Sequence, residues 1–268
     1  MPFRFTNTPA AFQCFMNDVF GDLLDVCILV YLNDILIYSD SKEEHQHYVQ
    51  EILRCLRQHH LYACTDKCFF HVSTVEYLGY ILSPSGLTMA SNKVQVIQDW
   101  PKPRKIKDIR SFLGFANFYQ CFIPKYSEIT IPLTHLTHKG TAWDFSEKCH
   151  STFTSLKQAF TTALILAHWI PGTPLIVETD ASDYALAAIL STTSPTDSEI
   201  HPITFHSQIF TPPELNYNVH NKELLAIFEA FKIWHHYLEG SPTPVNVVTD
   251  HKNLEYFSTT KLLTCRQI

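Results

Sequence analysis

The stretch Ile28-Leu29-Val30-Tyr31-Leu32-Asn33-Asp34-Ile35-Leu36-Ile37-Tyr38-Ser39 constrains the fold more than any other part of the chain. Two β-branched and aromatic runs flank a short polar pair, the pattern of two strands joined by a tight turn. Asn33-Asp34 at the tip suits turn geometry. A carboxylate set between buried strands is costly unless something binds it. Carboxylate oxygens are hard ligands, so Asp34 is a candidate ligand for Mg²⁺.

The text on either side completes a small α+β unit. Phe12, Phe15, Met16, Val19, Phe20 and Leu23 recur at helical spacing and predict a helix over residues 9–24. Ser41 with Glu44 three residues on reads as a helix start, and Val49, Ile52, Leu53 and Leu56 carry that helix to near His60. Strands are expected at 67–72 and 75–82, closed by the turn Ser83-Pro84-Ser85-Gly86. Helices covering one face of an antiparallel sheet are the expected packing. Helical text follows at 92–100, 106–119 and 145–161, with breaks expected at Pro101, Pro103, Pro124 and Pro132.

From Leu175 the pattern changes to strands, at 175–180, 184–190 and 202–206, with a polar loop over 192–199. A helix over 221–238 and a strand over 245–250 complete it. Asp180 and Asp250 each close a buried strand, and Glu223 is placed in the first turn of the intervening helix. If the two strands are neighbours, three carboxylates converge at one end of a sheet. They would repel and raise one another's pKa unless cations bind. Two Mg²⁺ (or Mn²⁺) ions would resolve this and could activate a water against a phosphodiester. Asp183, close to Asp180, reads as a turn residue.

Charge and composition narrow the partners. The net charge of −6 argues against a general high-affinity nucleic-acid binder, whose affinity comes from Lys and Arg on phosphates. Residues 92–110 run the other way, with six basic residues against Asp99 and Asp108. Lys105, Lys107 and Arg110 are candidate phosphate contacts there, with a solvated helix face the alternative. No run approaches the ~20 apolar residues of a membrane span. Residues 1–20 lack the basic start and apolar run of a signal peptide, so an intracellular setting without a membrane partner is expected. The eight cysteines are then expected to stay reduced, and Cys64-x3-Cys68-x2-His71 fits no usual zinc spacing.

Tyr31-Leu32-Asn33-Asp34 resembles the Tyr-x-Asp-Asp hairpin of reverse transcriptases. Residues 1–13 (Met-Pro-Phe-Arg-Phe-Thr-Asn-Thr-Pro-Ala-Ala-Phe-Gln), Glu76-Tyr77-Leu78-Gly79-Tyr80 and residues 111–119 (Ser-Phe-Leu-Gly-Phe-Ala-Asn-Phe-Tyr) are similar to segments of gypsy-type long-terminal-repeat retrotransposon polyproteins, in the same order. Thr179-Asp180-Ala181-Ser182-Asp183, Lys222-Glu223-Leu224-Leu225-Ala226 and Thr249-Asp250-His251-Lys252-Asn253-Leu254 resemble the three motifs of the ribonuclease H domain that follows the polymerase. The resemblance implies the C-terminal part of an α+β polymerase palm over 1–83 and a helical thumb or connection region over 84–141. A C-terminally truncated α/β ribonuclease H-like mixed sheet over 142–268 would follow. It implies Asp180, Glu223, Asp250 and Asp34 as catalytic metal ligands, and Leu78, Gly79 and Tyr80 as a primer grip. The implied partners are an RNA–DNA hybrid or template-primer duplex and other segments of the parent polyprotein.

Departures from the family bear on activity. Asn33 stands where the family has a metal-binding Asp, and the family's other such carboxylate lies upstream of Met1. Asp34 alone cannot hold two cations, so DNA polymerisation is expected to be lost while hydrolysis of RNA in RNA–DNA hybrids has all three acids of its site. The family has a fourth ribonuclease carboxylate further on, and the sequence stops at Ile268, inside a helix expected from near Leu262. Arg4, Asn33, Asn221, Cys14, Gln120, Cys121 and Cys265 differ from the family's usual Gly, Asp or Arg by exchanges that one G-to-A or C-to-T change produces. They suggest a decayed element copy. The alternative functions are accordingly a non-catalytic nucleic-acid-binding relic, or a structural module without a nucleic-acid role.

Overall fold

The computed structural model describes residues 6–194 and 198–250, in two compact units, Met1–Pro84 and Ser85–Ile268. The expectations for Arg4, Cys265, the segment 251–254 and the helix from Leu262 lie outside the described residues.

In the first unit, α1 (Thr8–Phe20) leads into strands β1 (Ile28–Tyr31) and β2 (Asp34–Ile37), then α2 (Lys42–Gln58). The strands pair antiparallel with Tyr31 opposite Asp34. The turn is therefore Leu32-Asn33, one residue earlier than the polar pair suggested, and Asp34 opens β2. Leu32 takes a positive φ of 52°, an uncommon conformation for a non-glycine residue. The Ser41 hydroxyl accepts the Glu44 N–H at 3.2 Å and caps α2 as expected. Met16 and Phe20 of α1, Ile28 of β1, and Ile52 and Leu56 of α2 form the core of this unit.

The expected strand over 67–72 is absent. A 3-10 turn at Thr65–Lys67 replaces its start, and Phe69, Phe70 and Val72 are exposed. β-rich composition cannot hold a strand without a neighbour to take its backbone hydrogen bonds. The expected strand over 75–82 is two strands, β3 (Val75–Tyr77) and β4 (Tyr80–Ser83), paired antiparallel with Tyr77 opposite Tyr80. Leu78 and Gly79 form the turn with φ of 53° and 83°, and positive φ at both central residues matches the twist of a hairpin.

The second unit opens with β5 (Gly86–Met89), followed by α3 (Ser91–Gln98), α4 (Ile106–Phe118), α5 (Tyr126–His135) and α6 (Glu147–Thr161). Pro132 lies inside α5 rather than ending it. A proline forfeits one backbone bond, and burial of the neighbouring Leu133 helps hold the helix. Phe112 of α4 packs on Phe153 of α6, ring centroids 4.7 Å apart. β5 is tied to the segment before the sheet by reciprocal backbone bonds between Leu87 and Leu166, of 2.8 and 3.0 Å.

The sheet consists of β6 (Leu175–Ala181), β7 (Ala185–Thr193), β8 (Ile200–Ile209) and β9 (Asn246–Thr249), in the order β8-β7-β6-β9. β7 pairs antiparallel with both β8 and β6, and β9 pairs parallel with β6. The helices α7 (Pro212–Leu215), α8 (Val219–Ile233) and α9 (His235–Leu238) connect β8 to β9. Leu175, Val177, Ala188, Leu190 and Ile203 face Ala230 of α8 and Trp234, forming a continuous core. On strands, side chains alternate between faces, so Glu178 and Asp180 belong to the opposite face, where α5 packs on β7 and β8.

Candidate active site

The register of two strands builds the site. In the parallel pairing of β6 and β9, Thr179 lies opposite Thr249, so Asp180 and Asp250 follow side by side at the carboxyl end of the sheet. α8, packed on β6 and β7, brings Glu223 to the same end. Ligand oxygens of Asp180, Glu223 and Asp250 all lie within 4.8 Å of one another. Among the described residues no other group of three or more such side chains converges this way. Glu223 is the fifth residue of α8, not a first-turn residue, because the helix begins at Val219.

The three acids differ in environment. Glu223 is 2% exposed, Asp180 half-buried and Asp250 exposed. Glu223 Oε1 accepts the Ala181 N–H at 3.2 Å, while its Oε2 is buried without a hydrogen-bond partner. Burial, and then the charge of Asp250, raise the Glu223 pKa to about 7, with Asp180 adding to the rise and the Ala181 N–H and Thr249 hydroxyl opposing it. The orphaned oxygen and the crowded negative charge both fit a divalent cation, to which all three residues could contribute a hard oxygen. When bound, such a metal would supply an activated water and charge stabilisation for phosphodiester hydrolysis.

Two lysines organise the surroundings. Lys125, just before α5, makes an ion pair with Asp180 Oδ2. That bond, ahead of the opposing effect of burial, raises the Lys125 pKa. Lys222 is 8% exposed; its Nζ donates to the Asp183 carbonyl at 3.0 Å and sits 5.4 Å from the Phe210 ring centroid. Asp183 itself is exposed in the turn between β6 and β7, a turn shaped by the Ser182 hydroxyl, which accepts the Ala185 N–H at 3.1 Å. No motif in the sequence pointed to Lys125, a lone lysine far from the acids in the chain.

The candidate polymerase residues occupy the first unit. Tyr31, Tyr77 and Leu78 share a cleft with Gln13, Asn17 and Val30, so the tips of the two hairpins face common space. Burial, then the charge of Asp34, raise the Tyr77 pKa. Gln13 clamps the hairpin: its Oε1 accepts the Leu32 N–H at 2.7 Å and its Nε2 donates to the Val30 carbonyl at 3.1 Å. Asp34 is exposed, and Leu78, Gly79 and Tyr80 are half-buried. In the second unit Lys105 and Lys107 are exposed at the start of α4, whereas Arg110 donates to the Thr137 carbonyl at 2.9 Å and ties α4 to the turn that follows α5. Cys68 Sγ approaches the Cys64 carbonyl at 3.2 Å and His71 stacks edge-on against His45.

Two family models match the chain. Residues 1–82 match the model for reverse transcriptase (RNA-dependent DNA polymerase), and residues 145–246 match that for the RNase H-like domain found in reverse transcriptase. The chain carries a reverse transcriptase segment and a ribonuclease H-like domain. It is 35% identical over 254 residues to the Transposon Tf2-3 polyprotein of Schizosaccharomyces pombe, an alignment covering 95% of this chain and 19% of that protein. The chain thus spans about a fifth of the length of the curated relatives it matches. The foamy viral protease-reverse transcriptase dRH in complex with double-stranded DNA has the same fold, with a TM-score of 0.81 at 24% identity over 99% of this chain and 47% of that one. The foamy viral protease-reverse transcriptase in complex with an RNA/DNA hybrid aligns with a TM-score of 0.76 at 24% identity, covering 100% of this chain and 36% of that one. Reverse transcriptase segment and ribonuclease H-like domain therefore account for the α+β first unit and the mixed sheet of the second. Among the described residues, no helix is long and apolar enough to cross a membrane.

Proposed function

We propose that the ribonuclease H-like domain is a divalent-metal site for hydrolysis of the RNA strand of an RNA–DNA hybrid, with Asp180, Glu223 and Asp250 as ligands for Mg²⁺ or Mn²⁺. The observation that carries this reading is the convergence of the three carboxylates around a buried, unpartnered Glu223 oxygen. A protein does not retain such an arrangement cheaply unless a cation relieves it. In the reverse transcriptase segment, Leu78 lines a primer-binding cleft with Tyr31 and Tyr77, and Asp34, paired with Tyr31, no longer supports DNA polymerisation because Asn33 supplies no negative ligand beside it. Lys105 and Lys107 are free to lie along duplex phosphates; Arg110 contributes to packing first. We assign residues 1–83 to the palm, 84–141 to the thumb or connection, and 142–268 to the ribonuclease H-like domain of a gypsy-type element, working inside the cell beside other segments of its polyprotein. The structural relatives' nucleic-acid complexes support a duplex partner.

The deciding experiment is Mg²⁺-dependent cleavage of the RNA strand of a labelled hybrid, with Asp180→Asn as control. Cleavage lost in the variant supports the assignment; equal products from both proteins sink it. A second reading, hybrid binding without hydrolysis, is favoured by one observation: Lys125 already balances Asp180 without a metal. Salt-dependent binding with no cleavage at any Mg²⁺ or Mn²⁺ concentration would select it.

A further inference from the structure

We propose that Lys125 is a resident cation of the acid cluster. Its ammonium holds Asp180 when no divalent ion is bound, and has to leave for one to bind. The inference rests on the reading of Asp180, Glu223 and Asp250 as metal ligands.

The fold presents Lys125 to this place from a rigid base. Its backbone adopts the left-handed conformation, φ 52°, at the N-cap of α5, an arrangement a lysine keeps only where its surroundings impose it. The flanking Ile123 and Tyr126 are buried, and the Tyr126 hydroxyl donates to Asn117 Oδ1 at 2.6 Å. Two residues on, Ser127 is bolted to β8: its N–H donates to Ser207 Oγ at 2.8 Å and its hydroxyl donates to the Ser207 carbonyl at 2.8 Å. Ser207 lies opposite Ala187, and Ala187 opposite Asp180. The three form one row across the face that α5 covers, with Asp180 two strand spacings, roughly 10 Å, from the anchor. The lysine side chain spans back along that row to Asp180.

The chemistry fits displacement rather than a permanent structural bridge. The side chains of Lys125 and Asp180 are 54% and 44% exposed, and a pair this open to water is weak. Asp250 and Glu128 add to the negative surroundings of the ammonium. A divalent ion brings twice the charge and also reaches the buried Glu223 oxygen, which the Lys125 ammonium leaves unpartnered. A metal entering between Asp180 and its neighbours therefore gains more than the ammonium loses, and Lys125 is released from Asp180. The consequence is a raised threshold for metal binding, set by a residue outside the acid motifs.

The test is Mn²⁺ binding to the full chain, followed by the loss of the free-ion electron paramagnetic resonance signal, in the parent, Lys125→Met, Lys125→Arg and Asp180→Asn proteins. Methionine keeps the length and removes the charge. Lys125→Met is expected to bind Mn²⁺ about two- to fivefold more tightly, the equivalent of one exposed ion pair removed. Its thermal midpoint in chelator is expected to fall, and the rise on adding Mg²⁺ to exceed that of the parent. Lys125→Arg is expected to bind as the parent does. Equal Mn²⁺ affinity in the parent and Lys125→Met overturns the proposal while leaving the metal site intact. Absence of Mn²⁺ binding in every protein, or binding that Asp180→Asn leaves unchanged, overturns the metal-site reading and this inference together.

Discussion

Thr179 and Thr249 face each other across the parallel pairing of β6 and β9, and that single register sets Asp180 beside Asp250. A slip of one residue would send one of the carboxylates to the other face of the sheet. The site therefore depends on strand register as much as on the acids themselves, and several outcomes follow from its construction.

Glu223 makes metal-free stability depend on pH. Its pKa is about 7 in the folded chain against an ordinary 4.5, so between those values the folded state holds a proton that the unfolded state has lost. Stability contributed by that proton is present at low pH and declines as pH rises through 7, with a slope of up to about 1.4 kcal/mol per unit. We expect urea midpoints in chelator to fall from pH 5.5 to pH 8, and Glu223→Gln to flatten the decline. A parent protein no less stable at pH 8 than at pH 5.5, compared with Glu223→Gln, would contradict this account.

Gln13 is expected to hold the hairpin turn. Gln13→Ala strips the Leu32 N–H of its side-chain acceptor and the Val30 carbonyl of its donor, with a loss of about 1 kcal/mol for each bond. Amide exchange at Leu32 should accelerate, while exchange in the middle of α2 should change far less. Unchanged exchange at Leu32 would show that the clamp is dispensable.

Gly86 is required where β5 meets the segment at Leu166. Its φ is +132°, and an added Cβ would come within 2.3 Å of the Leu166 carbonyl oxygen. That oxygen already accepts the Leu87 N–H, so the backbone has no room to yield. Gly86→Ala should destabilise the second unit by about 1–3 kcal/mol, measured as a lower urea midpoint. A midpoint within error of the parent would show that the two segments separate freely.

Phe112 is fully buried between Trp100 and Phe153, at ring-centroid distances of 5.6 and 4.7 Å. Phe112→Ala should lower stability by about 3–5 kcal/mol, whereas Phe118→Ala, on the exposed side of the same helix, should change it far less. Comparable losses for the two would mean that α4 is not seated as the structure shows.

Periodicity and local chemistry made much of this protein legible in the sequence. The apolar stripes of α1, α2, α4 and α6, the Ser41 cap and the presence of strands beside Asp180 and Asp250 rest on near-neighbour preferences, which a chain expresses wherever it folds. The expected burial of the second strand did not follow, since Val247 and Val248 of β9 are exposed. The motifs around those acids and around Tyr31 pointed to a reverse transcriptase and a ribonuclease H-like domain for the same reason: their chemistry requires particular residues at short spacing. Local pattern failed where a neighbour decides the outcome. Residues 67–72 have strand-like composition without a strand partner, and the run 75–82 is divided by the paired positive φ values of Leu78 and Gly79. Pro132 sits inside α5, beside the buried Leu133. Only the tertiary structure decided that β9 joins β6 in register across the intervening β7, β8 and α8, and that Lys125 reaches Asp180 from 55 residues away. Those relationships depend on burial of the two sheet faces and on the anchoring of Ser127 to Ser207, energies summed over long-range contacts that no window of sequence contains.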